Sequence, residues 1–96
     1  NPETHNEISS FTYTSPEAEY NWLRKVALEN PDQERRAYAE YRLGNMFFFG
    51  NGIQRNLDRA LLHYQRAAGL ATSYVRTKAL IKINEIAQIQ SESQGS

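Results

Sequence analysis

Apolar side chains recur every three or four positions along most of the chain, which is the spacing of amphipathic α-helices. In the first such segment Leu23 and Ala27 share one face. Ser15 precedes this segment as a candidate N-cap, and Pro16 suits the first helical position because that residue needs no backbone N–H donor. The pattern therefore predicts a first helix from Pro16 to about Glu29.

Three further helices follow, each bounded by residues that favour helix ends. The second is predicted from about Asp32 to Gly50, where glycine supplies the left-handed torsion of a helix C-terminus. Asn56 is the expected cap of the third helix, which ends at Gly69, and the last helix covers roughly residues 72–90. Valine and isoleucine are scarce before position 81, so no strand is predicted and the fold class is all-α.

The chain is predicted to form one domain, since 96 residues suffice for one small core and not for two. Residues 1–15 show no helical period and are expected to be an extended or disordered lead-in. Residues 16–90 form the predicted helical domain, and residues 91–96 form a polar tail. The longest apolar run has four residues, which predicts no transmembrane segment.

A short segment is repeated within the chain. Residues 22–27 read WLRKVA and residues 63–68 read HYQRAA. Two bulky residues, a spacer, a cation and two small apolar residues thus recur 41 positions apart. This spacing lies in the range of about 33–47 residues that helical-hairpin repeats use, so the chain is expected to be built from repeated pairs of helices.

Residues 39–68, about a third of the chain, resemble the Sel-1-like repeat family, a relative of the tetratricopeptide repeats. The family pattern is A-x-x-x-L-G-x-x-Y-x-x-G-x-G-V-x-x-D-x-x-x-A-x-x-W-Y-x-K-A-A. Identical residues stand at Ala39, Leu43, Gly44, Gly50, Gly52, Ala60, Tyr64, Ala67 and Ala68. Similar residues stand at Phe47, Ile53, Asn56 and Arg66, whereas His63 replaces the tryptophan of the family. The resemblance implies a short α-solenoid of about four helices arranged as antiparallel hairpins.

The two end helices resemble halves of neighbouring repeats. The first helix corresponds to the second helix of a preceding repeat, and the last helix to the first helix of a following one. Leu80 is assigned to the position of Leu43, which puts Ile81 at the position of Gly44. A bulky residue there prevents close helix approach, so the last helix is expected to be an end cap.

Small residues are expected to bring the helices close together. Gly44 has no side chain to hold off a neighbouring helix backbone, and the alanines of the motif do the same from the partner helix. Trp22, Phe47 and Tyr64 are expected to fill the gaps that the small residues leave. Stacked hairpins of this kind curve and present a concave face.

The net charge is zero, but it is unevenly distributed. Residues 1–34 hold seven acids and two bases, whereas residues 35–82 hold nine bases and two acids. Basic residues interleaved with aromatic ones suit phosphate contacts and base stacking. The pI of about 6.9, rather than above 9, disfavours nucleic-acid binding and leaves it as an alternative.

The chain offers few groups for catalysis. It has no cysteine, which excludes disulfides and a thiolate zinc site. His63 stands where the repeat places a packing aromatic, and Asp58 is not three or four residues away from it, so a packing role is predicted. The turn at Gly50 and Gly52 is too short to cradle a phosphate. No enzymatic activity, cofactor or metal is predicted.

The first helix of each hairpin lines the concave face in this architecture. Counted from Leu43 and Gly44, the positions predicted to bind a partner are Tyr38, Tyr41, Asn45 and Phe48, continued on the last helix by Val75, Lys78 and Lys82. The aromatic members form a stripe that suits a peptide or a helix of a partner. The alternative is that part of the stripe belongs to the core or packs against the lead-in.

The predicted function is a non-catalytic protein–protein interaction module that binds a peptide or a partner protein on its concave aromatic face. The resemblance implies an adaptor in a larger assembly, and it slightly favours an exported or envelope-associated bacterial one while leaving the compartment open. Two alternatives remain, a basic nucleic-acid-binding accessory protein and a homo-oligomer that forms through the uncapped ends of the solenoid.

Overall fold

The computed structural model describes residues 15–95, with side chains through residue 93. All but the last residue of the predicted lead-in over residues 1–15 therefore lies outside the described residues. The described chain forms four helices and no strand. The helices are α1 (Pro16–Glu29), α2 (Gln33–Phe49), α3 (Leu57–Leu70) and α4 (Tyr74–Gly95). The all-α class and the count of about four helices are confirmed.

Three helices begin at the residues that the sequence indicates. Ser15, Asp32 and Asn56 have extended backbone torsions and cap α1, α2 and α3. Each side-chain oxygen accepts a hydrogen bond of 3.0–3.1 Å from a backbone N–H two or three residues further on. These caps satisfy donors that a helix N-terminus leaves unpaired, which is why short polar side chains mark the starts.

The helix ends agree less closely with the sequence. Gly50 ends α2 in the left-handed region at φ 67°, as predicted. Gly69 does not end α3, because its torsions stay helical and the helix runs to Leu70. The last helix begins at Tyr74 and continues through the polar segment to Gly95, since no proline or glycine interrupts it earlier.

The helices stack in sequence order as antiparallel neighbours. Each helix packs mainly on the next one, and α2 also touches α4. The molecule measures 56 × 31 × 19 Å. A helix with its side chains is about 10 Å across, so the smallest dimension corresponds to two helix layers. This is the arrangement of a short α-solenoid.

The core of the α2–α3 hairpin is built around Gly44 and Tyr64. A β-carbon at Gly44 would lie 2.6 Å from Cδ1 and Cε1 of the Tyr64 ring. The sequence predicts close approach of a helix backbone at Gly44, but an aromatic ring occupies the space instead. Tyr64 is fully buried, and its hydroxyl donates a 2.5 Å hydrogen bond to Asn45 Oδ1. Burial, with smaller effects from Tyr41 and Glu85, raises the pKa of this hydroxyl well above its ordinary value, so the phenol stays neutral.

Two of the three predicted gap-filling aromatics have that role. Phe47 and Tyr64 belong to the core cluster that joins α2, α3 and α4. The prediction for Trp22 is wrong, since this residue is 58% exposed. In α1 the core positions are taken by Leu23 and Ala27, which pack against α2.

The register of α4 differs by one residue from the sequence prediction. Leu80 and Ile81 are exposed, whereas Val75 and Ala79 are buried. Ala79 lies on the side of α4 that faces α3, and it therefore corresponds to Leu43 of α2, which stands 36 residues earlier. This shift puts Leu80, not Ile81, at the position of Gly44.

Candidate functional site

A cleft of about 430 Å³ lies between α1, α2 and the first turn of α4. Three of its lining residues are exposed aromatics, Trp22 at 58%, Tyr38 at 45% and Tyr74 at 62% exposure. We call this cleft the Trp22 groove; it is lined among others by Trp22, Val26, Tyr38, Arg42, Tyr74 and Val75. Large exposed aromatics around one concavity are uncommon on a protein surface without a binding role.

The floor of the groove on α2 is held by aromatic and ionic contacts. The Tyr38 ring stacks on Tyr41 with centroids 6.4 Å apart. The Arg42 guanidinium lies 6.0 Å from the centre of the Tyr38 ring and donates a 2.6 Å hydrogen bond to Glu19 Oε2 on α1. These contacts restrict the rotation of Tyr38 and tie α1 to α2 at one end of the groove.

The α4 wall is fixed by Glu34 of α2. Its Oε1 accepts hydrogen bonds from the backbone N–H of Thr72 at 2.8 Å and from the Thr72 hydroxyl at 3.0 Å. Its Oε2 accepts a 3.3 Å bond from the Ser73 hydroxyl. A carboxylate at this place also favours the positive end of the α4 dipole. Glu34 thereby sets the position of Tyr74, the next residue.

The same turn of α2 ties down two other helix ends. Arg36 Nη1 donates a 2.6 Å hydrogen bond to the carbonyl of Asn30, which follows α1. Gln33 Nε2 donates a 2.8 Å bond to the carbonyl of Leu70, the last residue of α3. The walls of the groove are therefore held by hydrogen bonds before any partner arrives.

The predicted partner-binding residues do not all share one surface. Tyr38 lines the groove, and Val75 lines it as a buried residue. Lys78 lies at the edge, with its Nζ 5.6 Å from the centre of the Tyr74 ring. Trp22 and Tyr74 are the two aromatic lining residues that the sequence prediction omits.

The other end of the predicted stripe belongs to the core. Tyr41 packs on Tyr64 with ring centroids 5.7 Å apart, and Asn45 accepts the Tyr64 hydrogen bond. Phe48 is buried in the same cluster. Phe48 therefore does not belong to the partner-binding residues that the sequence predicts, because a buried ring leaves almost no surface for a partner. The alternative interpretation, that part of the stripe is core, holds for this end.

Several basic side chains rest on aromatic rings. Lys82 Nζ lies 4.1 Å from the centre of the Phe48 ring and 4.8 Å from that of Phe49. Arg55 lies 5.8 Å from the Phe48 ring centre and donates a 2.9 Å hydrogen bond to the carbonyl of that residue. Lys82, a predicted partner-binding residue, therefore covers core aromatics through cation–π contacts. Nucleic-acid binding by the basic half stays the disfavoured alternative of the sequence analysis.

His63 packs as predicted, and it also has a partner that the sequence analysis missed. Its ring stacks on Phe47 at an interplanar angle of 4°. Its Nδ1 is hydrogen-bonded to Glu40 Oε1 at 2.7 Å, and both side chains are largely buried. Glu40 lies on α2, so a search along the helix of His63 alone does not find it.

Separate replacement of Glu40 and His63 by alanine is expected to lower the free energy of unfolding by about 1–3 kcal/mol each, because each change leaves a buried polar partner unpaired. The double variant is expected to lose less than the sum of the two single losses, since it leaves neither group unpaired. Urea denaturation of the four proteins measures this coupling. Strict additivity would show that the hydrogen bond contributes nothing.

The stacked antiparallel hairpins define a helical-repeat protein. Residues 37–71, which cover most of α2 and all of α3, match the family described as Sel1 repeat. This segment is similar to one Sel1 repeat, as the sequence resemblance indicates. Sel1 repeats are non-catalytic modules that mediate protein–protein interaction.

No curated protein and no solved structure matches the chain. Within residues 15–95, no group of three or more potential metal-ligating side chains is placed to hold an ion. In the same part of the chain, no helix combines the length and the apolar character needed to cross a bilayer.

Proposed function

We propose that the Trp22 groove is the protein-binding site of this chain and that the protein serves as a non-catalytic adaptor. The observation that carries the proposal is the convergence of Trp22, Tyr38 and Tyr74 on one cleft, each at least 45% exposed. Aromatic side chains bury a large area for few rotatable bonds, and tryptophan and tyrosine are enriched among the residues that dominate binding energy.

The groove is prepared for binding by its own hydrogen bonds. Glu34 positions the start of α4, and Arg42 joins α1 to α2 beside Tyr38. Ordering of loops and side chains at an interface costs free energy, so walls that are already fixed favour affinity.

A basic residue at the edge of the groove is available to a partner. The Arg35 side chain is 74% exposed, and its Nε lies 3.6 Å from Oδ2 of Asp32, which is also exposed. An exposed pair at this distance contributes little to stability, so Arg35 can exchange Asp32 for a carboxylate of the partner at small cost. The guanidinium of Arg42 is already paired with Glu19 and serves the scaffold instead.

Replacement of both Trp22 and Tyr38 by alanine is expected to reduce capture of a native partner by about tenfold or more, because two central aromatic anchors are removed. Both residues are exposed, so the helical circular dichroism should stay unchanged. Quantitative affinity capture from host extract with the wild type and the variant measures the effect.

Leu62→Ala is the matched control, since Leu62 is an exposed apolar residue of α3 that does not line the groove. It should retain the partners of the wild type. If the groove variant keeps every partner that the control keeps, the binding site lies elsewhere.

A further inference from the structure

The repeat correspondence identifies the side of α1 that no described helix covers. Trp22 stands 41 residues before His63, its counterpart in the repeated segment. His63 is covered by Glu40 and Phe47 of α2, the first helix of its own hairpin. No helix among residues 15–95 takes the corresponding place beside α1, and Trp22 is exposed for that reason.

At the opposite end of the described chain, α4 also has a side that no described helix covers. At the spacing of 36 residues, Leu80 of α4 corresponds to Gly44 of α2, which faces α3. Within the described chain no second helix covers this side of α4, and Leu80 is 48% exposed. The uncovered stripe consists of Arg76, Leu80, Asn84 and Ala87, all exposed and three or four positions apart.

We propose that the partner of the Trp22 groove is a second copy of this chain, whose α4 lies antiparallel to α1 as α2 lies against α3. The inference rests on the proposed function, because it names the partner of the same site. In each copy α1 corresponds to the second helix of a hairpin and α4 to the first, and no helix of the described part completes either hairpin. Pairing α4 of one copy with α1 of the next repeats the α2–α3 interface that the chain already contains.

One basic side chain of α4 favours this antiparallel arrangement. Glu40 contacts His63, and the same register places Arg76 of the second copy beside Trp22. A guanidinium on an indole face is a favourable cation–π contact, and Arg76 forms no ion pair with any other described residue.

The contact joins two different surfaces, so it is heterologous. Such contacts build head-to-tail rings or open filaments rather than closed two-fold dimers. Sedimentation velocity of the 96-residue chain between about 10 µM and about 1 mM is expected to show species larger than a dimer at the upper end.

Leu80→Glu and Trp22→Ala each remove one of the two surfaces and should weaken self-association by about tenfold or more. Leu62→Glu is the matched control, since Leu62 is 45% exposed and Leu80 is 48% exposed. The control should assemble like the wild type. Circular dichroism and thermal melting verify that all variants are folded.

An equimolar mixture of the two single-surface variants gives the sharpest result. The Leu80→Glu chain keeps an intact groove, and the Trp22→Ala chain keeps an intact α4 stripe, so the mixture should form a heterodimer that grows no further. A heterodimer supports the proposal. A mixture that stays monomeric although the wild type assembles would overturn it.

Two other outcomes also count against self-association. A wild-type chain that is monomeric at about 1 mM overturns it, as does assembly that survives both substitutions. If the wild type is monomeric while loss of Trp22 and Tyr38 still abolishes capture of another protein, the proposed function stands and only the identity of the partner is refuted.

Discussion

Gly44→Ala should lower the free energy of unfolding by about 1–3 kcal/mol, although alanine is intrinsically the better helix former by about 1 kcal/mol. The added β-carbon would lie 2.6 Å from two carbons of the Tyr64 ring, closer than carbon atoms approach without repulsion. Tyr64 cannot turn aside easily, because it is fully buried and its hydroxyl is bonded to Asn45. Gly44→Leu should destabilise the fold still further.

Gly69→Ala is the control for the Gly44 substitution. Gly69 is also inside a helix, but apart from its chain neighbours and the backbone of its own helix no atom lies within 4 Å of the position that its β-carbon would take. We expect this change to raise stability by up to about 1 kcal/mol through helix propensity alone. Thermal melting separates the two, since each kcal/mol shifts Tm by about 4–8 °C in a domain of this size. Equal shifts for both would contradict close packing at Gly44.

Tyr64→Ala is expected to lower stability by about 3–5 kcal/mol, the cost of removing a large aromatic side chain from a core. Tyr64 packs against Tyr41 and Phe48 and fills the space opposite Gly44. A chain of 96 residues has a total stability of about 5–14 kcal/mol at 0.05–0.15 kcal/mol per residue. The substitution therefore removes a large share of the stability, which guanidinium denaturation would reveal.

Tyr64→Phe tests which part of the side chain matters. It keeps the ring and removes only the hydrogen bond to Asn45, so a loss of about 0.5–1.5 kcal/mol is expected. Asn45 is partly exposed and can bind water instead. A loss as large as that of the alanine variant would assign the main role to the hydrogen bond rather than to the ring.

The helix starts were predictable because their causes are local. Ser15, Asp32 and Asn56 cap helices through side chains that bond to backbone two or three residues away. The end of α3 was not predictable in this way, because Gly69 permits a left-handed torsion but does not require one. In the structure Gly69 stays helical.

The candidate site was predicted only in part, because exposure depends on neighbours that helical periodicity does not identify. Tyr38 and Phe48 belong to one aromatic stripe in the sequence, yet Tyr38 is exposed and Phe48 lies beneath Lys82 in the core. Trp22 matches a packing position of the repeat, but no described helix covers it. The one-residue shift in α4 had a similar cause, since Leu80 and Ile81 are equally apolar and only contact with α3 selects the register.

The sequence by itself determined the class of the fold, the starts of three helices and the repeat that relates α1 to α3, because capping bonds and residue spacing act along the chain. The tertiary structure decided which aromatic residues stay exposed and that Trp22, Tyr38 and Tyr74 line one groove. Surface exposure is a property of how distant helices meet, and the stacking of α1, α2 and α4 creates that surface.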